Sequence, residues 1–284
     1  MAAPASWGSS RAIALLALPA VLFLAVLFFY PLGTLIAYSF SGSGPPTANY
    51  QRILTTPVYL QVLQRTFTMS VATTALCALI GYPLARQIIA ATPRGRAILV
   101  AVILVPFWTN LLVRSYGWMI ILNPKGAINQ ALMSLGLIDA PLALVYNSTG
   151  VLIGMVQIML PYMIFPIVAV MSRIDGQLVN AARSLGARPI SSFLWVYLPM
   201  TLPGLMAGAL LVFTISLGFF VIPAILGGPR DLMLAQLIEF NVNNTLDWGF
   251  AGALSTVLLA VTVGIYLVAQ RWFGLGSIWG ALAR

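Results

Sequence analysis

The sequence predicts an all-α integral membrane protein with about six transmembrane helices, and three observations carry the prediction. Of the 284 residues, 61% are hydrophobic and only 7% are charged, whereas a water-soluble domain carries about a quarter charged residues. The mean hydropathy is +0.99. The apolar residues are gathered into runs long enough to cross a bilayer as helix, which takes roughly 20 residues, with polar loops between them.

Six runs stand out, at residues 12–40, 66–91, 97–122, 150–171, 203–226 and 248–273, forming one transmembrane domain over 1–284. Each must be helical, because backbone polar groups in lipid have to pair within the segment. The first follows Arg11 in the manner of a secretory leader, yet it far exceeds the roughly 7–15 apolar residues of one and is read as a retained span. Residues 41–48, SGSGPPTA, form a loop by their turn residues. Pro31, Pro83, Pro106, Pro161, Pro166 and Pro223 fall inside the runs and predict kinks packed against neighbouring helices. Asn110 and Gln157, with Thr73, Thr74, Thr214 and Ser216, need hydrogen-bond partners away from lipid, so they either join helices or line a wet path. Arg114, in the third run, either snorkels to headgroups or lies on a pathway.

Between the fourth and fifth runs the loop 172–202 is polar and punctuated like helix. Asp175 fits an N-cap, and Leu178, Ala181, Ala182 and Leu185 recur at i, i+3, i+4 and i+7, making one apolar face that Gly186 closes. Pro189 opens a second short helix, Phe193, Val196 and Tyr197 give it an apolar face, Pro199 ends it, and Pro203 and Gly204 begin the next span. Two amphipathic helices under a membrane suit either lying on headgroups or docking into a partner's groove; the small residues Ala181, Ala182, Gly186 and Ala187 suit close approach.

The net charge of +9 would suggest nucleic acid in a soluble chain, but these basic residues sit in short loops, where membrane asymmetry explains them and no nucleic-acid partner is expected. Placing both termini inside puts Arg11, Arg86, Arg94, Arg96, Arg173, Arg183, Arg188, Arg271 and Arg284 on the inner side, against Arg52, Arg65, Arg114, Lys125 and Arg230 outside. That bias predicts cytoplasmic termini and a cytoplasmic 172–202 loop. Among acidic residues, Asp139, Asp231, Glu239 and Asp247 then face outward and only Asp175 inward. An acidic vestibule would concentrate a cationic solute, and Trp108, Trp118 and Trp248 could add cation–π attraction; equally, outer loops need solvated charge and tryptophans mark the interface.

Catalysis is not expected. The sequence has no histidine and one cysteine, Cys77, which leaves no intrachain disulfide and excludes the common metal sites. It contains no GxxxxGK followed by Ser or Thr, so no ATP hydrolysis and no cofactor on this chain are expected.

The loop carries more than spacing. From Asn180 to Gly204 it reads NAA-x-x-x-GA-x-x-x-x-x-F-x-x-V-x-LP-x-x-x-PG, which resembles the EAA loop of the membrane subunits of ATP-binding cassette (ABC) importers. Asn180 departs from the glutamate usual there. Further blocks are similar to permeases of spermidine/putrescine importers: Tyr82, Pro83 and Ala85, VPFWTNLLVRSYGW from Val105, KGAIN from Lys125, GLID from Gly136 and DWGFAGA from Asp247. Related branches carry opines, aminoethylphosphonate, iron or thiamine.

The resemblance implies the type I ABC importer permease arrangement, with coupling helices between helices 4 and 5 that seat on an ATPase. It implies ATPase coupling through Asn180, Ala181, Ala182, Gly186, Ala187, Phe193, Pro199, Pro203 and Gly204. It further implies two ABC ATPase subunits holding ATP and Mg, a second homologous permease, an extracytoplasmic solute-binding protein, and a multi-pass location in the bacterial plasma membrane. Candidates for lining the pathway are Trp108, Asn110, Gln157, Glu239 and Asp247. An ion-gradient-driven secondary transporter is the rival, and it predicts inverted repeats and intramembrane ionisable residues.

Overall fold

The computed structural model describes residues 10–41 and 44–273; Arg284, assigned above to the inner side, lies outside them, as do residues 42 and 43 of the SGSGPPTA loop. The described residues form helices and no strand. In chain order these are α1 (Ser10–Ser39), α2 (Ala48–Thr55), α3 (Pro57–Ala90), α4 (Pro93–Phe107), α5 (Leu111–Leu122), α6 (Ala127–Ser134), α7 (Ser148–Met171), α8 (Gly176–Ser184), α9 (Pro189–Ser192), α10 (Leu198–Leu217), α11 (Val221–Leu226), α12 (Leu234–Asn243) and α13 (Trp248–Phe273). Five rods are long and apolar enough to cross a membrane: Ala17–Ser39, α3, α7, Pro189–Leu217 and Trp248–Arg271.

The sixth candidate span differs from expectation. The run 97–122 is not one rod, because α4 and the Leu111–Ser134 segment are bent by 97° at the break between them. Pro106 removes a backbone donor near the end of α4, and Asn110 then starts a new helix by accepting a hydrogen bond from the Leu112 N–H at 2.8 Å. The fifth span differs too. Pro199 does not end a helix, since α9 runs through a single π-helical turn, Phe193–Tyr197, directly into α10. The Leu198 N–H reaches back five residues to the Phe193 carbonyl, and this wider turn accommodates a ring that lacks the N–H and would collide with the carbonyl four residues earlier. The rod stops at Leu217, so the run 203–226 is α10 followed by the separate short helix α11.

α7 is the central helix. Its Val151, Met155, Met159, Met163, Ile164 and Ile167 are buried between α3 and α10. Small residues permit that approach. A Cβ on Gly208 would lie 2.9 Å from the Met163 carbonyl oxygen, and one on Gly204 would lie 2.9 Å from the Pro166 carbonyl oxygen. Gly204 and Gly208 form a GxxxG pair, the spacing that brings membrane helices into backbone contact. By contrast α1 leaves Leu18 to Tyr30 largely exposed, and it packs on α13 near Gly252. Its outward leucines and phenylalanines suit lipid.

Most hydroxyls inside the rods bond to their own helix: Thr74 Oγ1 donates to the Ser70 carbonyl at 2.7 Å and Ser70 Oγ to the Thr66 carbonyl at 2.8 Å. Thr73 Oγ1 instead reaches the sulfur of Met155 at 3.9 Å, whereas Ser216 Oγ is buried without a partner. Replacing Gly208 by Ala should lower stability by about 1–3 kcal/mol, the usual cost of overpacking. Gly264→Ala, where an added Cβ would meet nothing within 4 Å, should not. Thermal unfolding of the detergent-purified chain measures both.

Candidate coupling surface and pathway

At the arginine-rich end of the bundle, Asp175 caps α8 by accepting from the Gln177 N–H at 2.9 Å. The helix closes at Gly186, whose φ of +90° is left-handed. There the Gly186 N–H donates to the Arg183 carbonyl at 2.9 Å and the Ala187 N–H to the Ala182 carbonyl at 3.1 Å, the paired bonds of a Schellman ending. Along α8 the face bearing Leu178, Ala181 and Leu185 is exposed, Leu185 being 90% accessible, and Asn180 is exposed on another side of the helix. Ala182 and Ala187 are half-buried.

Phe193 fastens this unit to the bundle. Its ring stacks on Tyr197 at 5.9 Å, meets the edge of Tyr82 at 6.2 Å and lies 5.0 Å from the Arg86 guanidinium. Tyr82 Oη in turn shares a 2.8 Å hydrogen bond with Thr201 Oγ1 on α10. Arg96 caps the end of α3, donating from Nε to the Ile88 carbonyl and from Nη2 to the Ile89 carbonyl, both at 3.0 Å. Of the remaining residues expected in the coupling set, Pro199 and Pro203 are exposed on α10. Gly204 is not available: it is buried against α7, where the helix crossing needs its missing side chain.

The pathway candidates do not form one cluster. Trp108 and Asn110 flank the α4–α5 break, and Trp108 is 83% exposed. Phe107, beside it, packs edge-on against Tyr162 of α7 at 5.6 Å. Gln157 Oε1 accepts from Trp118 Nε1 at 3.3 Å and so joins α7 to α5. Arg114 is half-buried and its Nε has no hydrogen-bond partner.

Glu239 and Asp247 lie on the layer of short helices at the opposite end. Glu239 accepts from Asn243 Nδ2 at 3.0 Å. Asp247 pairs with Arg52 at 3.0 Å and caps α13 through the Phe250 N–H at 3.0 Å, while the Arg52 guanidinium lies 4.1 Å from the centre of the Phe250 ring.

Asp231, outside the candidate set above, is the most enclosed carboxylate of the described residues. It is buried, pairs with Arg65 at 2.9 Å, accepts from Ser148 Oγ and takes the Gly228 N–H at 3.1 Å. The two glycines before it are the sequence signal, since a Cβ on Gly228 would lie 2.3 Å from the Tyr146 carbonyl oxygen. A cleft of about 660 Å³ opens beside this network, lined by Gln61, Gln64, Arg65, Thr68 and Arg230. Of the four acids expected to face outward, Asp231 and Asp247 are paired with arginines, which leaves Asp139 and Glu239 outside the ion pairs.

No protein-family profile matches the sequence. The chain is 36% identical over 220 residues to the spermidine/putrescine transport system permease protein PotB of Escherichia coli K12, covering 78% of this chain and 79% of that protein. It belongs to the spermidine/putrescine transport permease family. PotB of Haemophilus influenzae is 36% identical over 226 residues, covering 78% of this permease and 79% of that one. The inner membrane ABC transporter permease protein YdcU of Escherichia coli is 29% identical over 237 residues, covering 78% and 74%.

A crystal structure of a bacterial alginate ABC transporter, in complex with an alginate pentasaccharide-bound periplasmic protein, contains a chain of the same fold. It matches with a TM-score of 0.70 at 16% identity, over 92% of this permease and 93% of that chain. The ABC-importer permease fold expected from the sequence is thus the fold observed.

Phe193→Ala should loosen α8 from the bundle without unfolding it. Hydrogen exchange over 176–192 should accelerate by about tenfold, equivalent to about 1.4 kcal/mol, while the buried amides of α7 keep their protection.

Proposed function

We propose that this permease is the membrane-spanning subunit of an ATP-driven importer for spermidine, putrescine or a similar small cationic solute. The observation that carries the reading is 36% identity over 78% of the chain to PotB, in a molecule whose α8 presents an unpartnered apolar face. ATP and Mg would sit on two ABC ATPase subunits, because this sequence has no phosphate-cradling glycine loop. A second homologous permease would complete the pathway, and an extracytoplasmic binding protein would deliver the solute. Both termini and α8 would face the cytoplasm of a bacterium, in the plasma membrane, in keeping with the excess of arginine at that end.

The continuous rod from Pro189 to Leu217 supports a direct mechanism. Closure of the ATPases pulls α8; Phe193 carries the pull to α3 through Tyr82 and Arg86, and the rod carries it along α10. The spans around α7 then tilt, and the pathway exchanges inward for outward access. Trp108 and Asn110, at the break of the third span, stand where that exchange would expose them to solute.

Gly186→Trp tests the coupling surface. At φ +90° any side chain is strained, and a large one beside the exposed α8 face obstructs a docking groove. The variant should insert normally but lose ATPase assembly and at least about fivefold of the stimulated ATP hydrolysis, an order-of-magnitude expectation for more than about 1 kcal/mol of lost docking energy. Wild-type assembly would reject the docking role. In vesicles, spermidine uptake should require ATP; accumulation driven by a proton gradient and indifferent to ATP would reject the importer reading.

A further inference from the structure

Beside the coupling loop lies a second concave feature. A cleft of about 620 Å³ separates the end of α3 from α8 and α9, and its wall includes Arg86, Ile89, Val179, Arg183, Ile190 and Leu194. Val179 and Arg183 are four residues apart and share one face of α8, whereas Leu178, Ala181 and Leu185 share another. The helix can therefore contact a partner and line this cleft at the same time.

The chemistry of the cleft is amphipathic and cationic. Arg86 lies against the Phe193 ring and Arg183 is in the last turn of α8; neither has a carboxylate partner, since the two ion pairs among the described residues are both at the opposite end of the bundle. Asp175, the acid on this side, is engaged at the far end of α8, about 12 Å away along the helix. The helix that carries the fifth span starts at Pro189, at the edge of this cleft, and near its start Ile190, Leu194 and Trp195 are exposed, with Trp195 82% accessible as an interfacial tryptophan would be.

We propose that this cleft binds the headgroup of an anionic phospholipid of the adjoining leaflet. Arg86 and Arg183 hold the phosphate, and Ile89, Ile190 and Leu194 take the first methylenes of an acyl chain. A basic pocket between spans at the cytoplasmic boundary has the composition that selects such lipids, and guanidinium groups match phosphate in shape and charge. A lipid held there bridges α3 and α8 and stiffens the coupling loop against the bundle. The proposal rests on this end facing the cytoplasm but not on any transported solute.

The test is native mass spectrometry of the full-length permease, purified in detergent and titrated with phosphatidylglycerol or with phosphatidylcholine of the same acyl chains. One phosphatidylglycerol should be retained at about tenfold lower concentration than phosphatidylcholine, a preference of about 1.4 kcal/mol. Arg183→Gln should abolish that preference, Arg183→Lys should keep most of it, and Arg94→Gln, outside the cleft, should leave it intact. Equal retention of the two lipids would overturn the site, as would equal loss in the Arg94 variant. Displacement by millimolar inorganic phosphate would mark a site for a free anion, and displacement by an added ATPase would assign the cleft to the protein interface; either result rejects the lipid. Because binding is read on the isolated chain, failure here leaves the uptake and ATPase experiments unaffected.

Discussion

Met163 sits where three spans meet, and the rest of the molecule depends on that contact. It is fully buried on α7, with Gly81 of α3 on one side and Gly208 of α10 on the other. Lipid tails are as apolar as any side chain, so spans do not associate to escape water; they associate where backbones can come close and dispersion contacts accumulate. The two glycines supply the room and the flexible thioether fills it. Once α3, α7 and α10 are locked together, the coupling segment has a rigid frame, since Phe193 leans on α3 and the rod bearing it is α10.

A different chemistry holds the opposite end. The short helices α2, α6, α11 and α12 are too short to cross a membrane, and both buried apolar side chains and polar networks hold this end together. Asn129 exchanges two hydrogen bonds with the Leu142 backbone, at 2.8 and 3.0 Å, and Asp231 gathers Arg65, Ser148 and a glycine amide. Arg52 combines an ion pair with a face-on aromatic contact. Glycine and dispersion fasten the rods, while at the cap charge and hydrogen bonds add to a smaller apolar cluster of Ile53, Val62, Leu234, Leu237 and Phe250.

The spans were legible because apolar run length is a direct consequence of bilayer thickness, and the caps of α8 because Asp175 and Gly186 act locally. What sequence could not supply was the outcome of local choices that depend on neighbours. Pro106 and Pro199 carry the same missing N–H, yet one precedes a bend of 97° and the other sits in a continuous rod. Asn110 offers a cap in the first case and a widened turn absorbs the ring in the second. Likewise Asp231 and Asp247 are separated by more than 160 residues from the arginines that neutralise them, a pairing that only the tertiary fold creates. Gly204 matched a loop motif but serves a helix crossing, because the motif extends past the loop into the span.

The π-helical turn at Phe193–Tyr197 also sets an angular phase. One extra residue in a turn rotates everything before it by about 100° relative to the helix that follows. The azimuth of α8 around the α10 axis is thus fixed by a single inserted residue. Shortening this turn by one would restore an unbroken α-helical repeat and swing the exposed Leu178–Leu185 face through more than a quarter of a circle, with no change in its composition. Two permeases with identical loop sequences could then present them in different directions, so compatibility with an engine is encoded in helix winding as well as in surface chemistry.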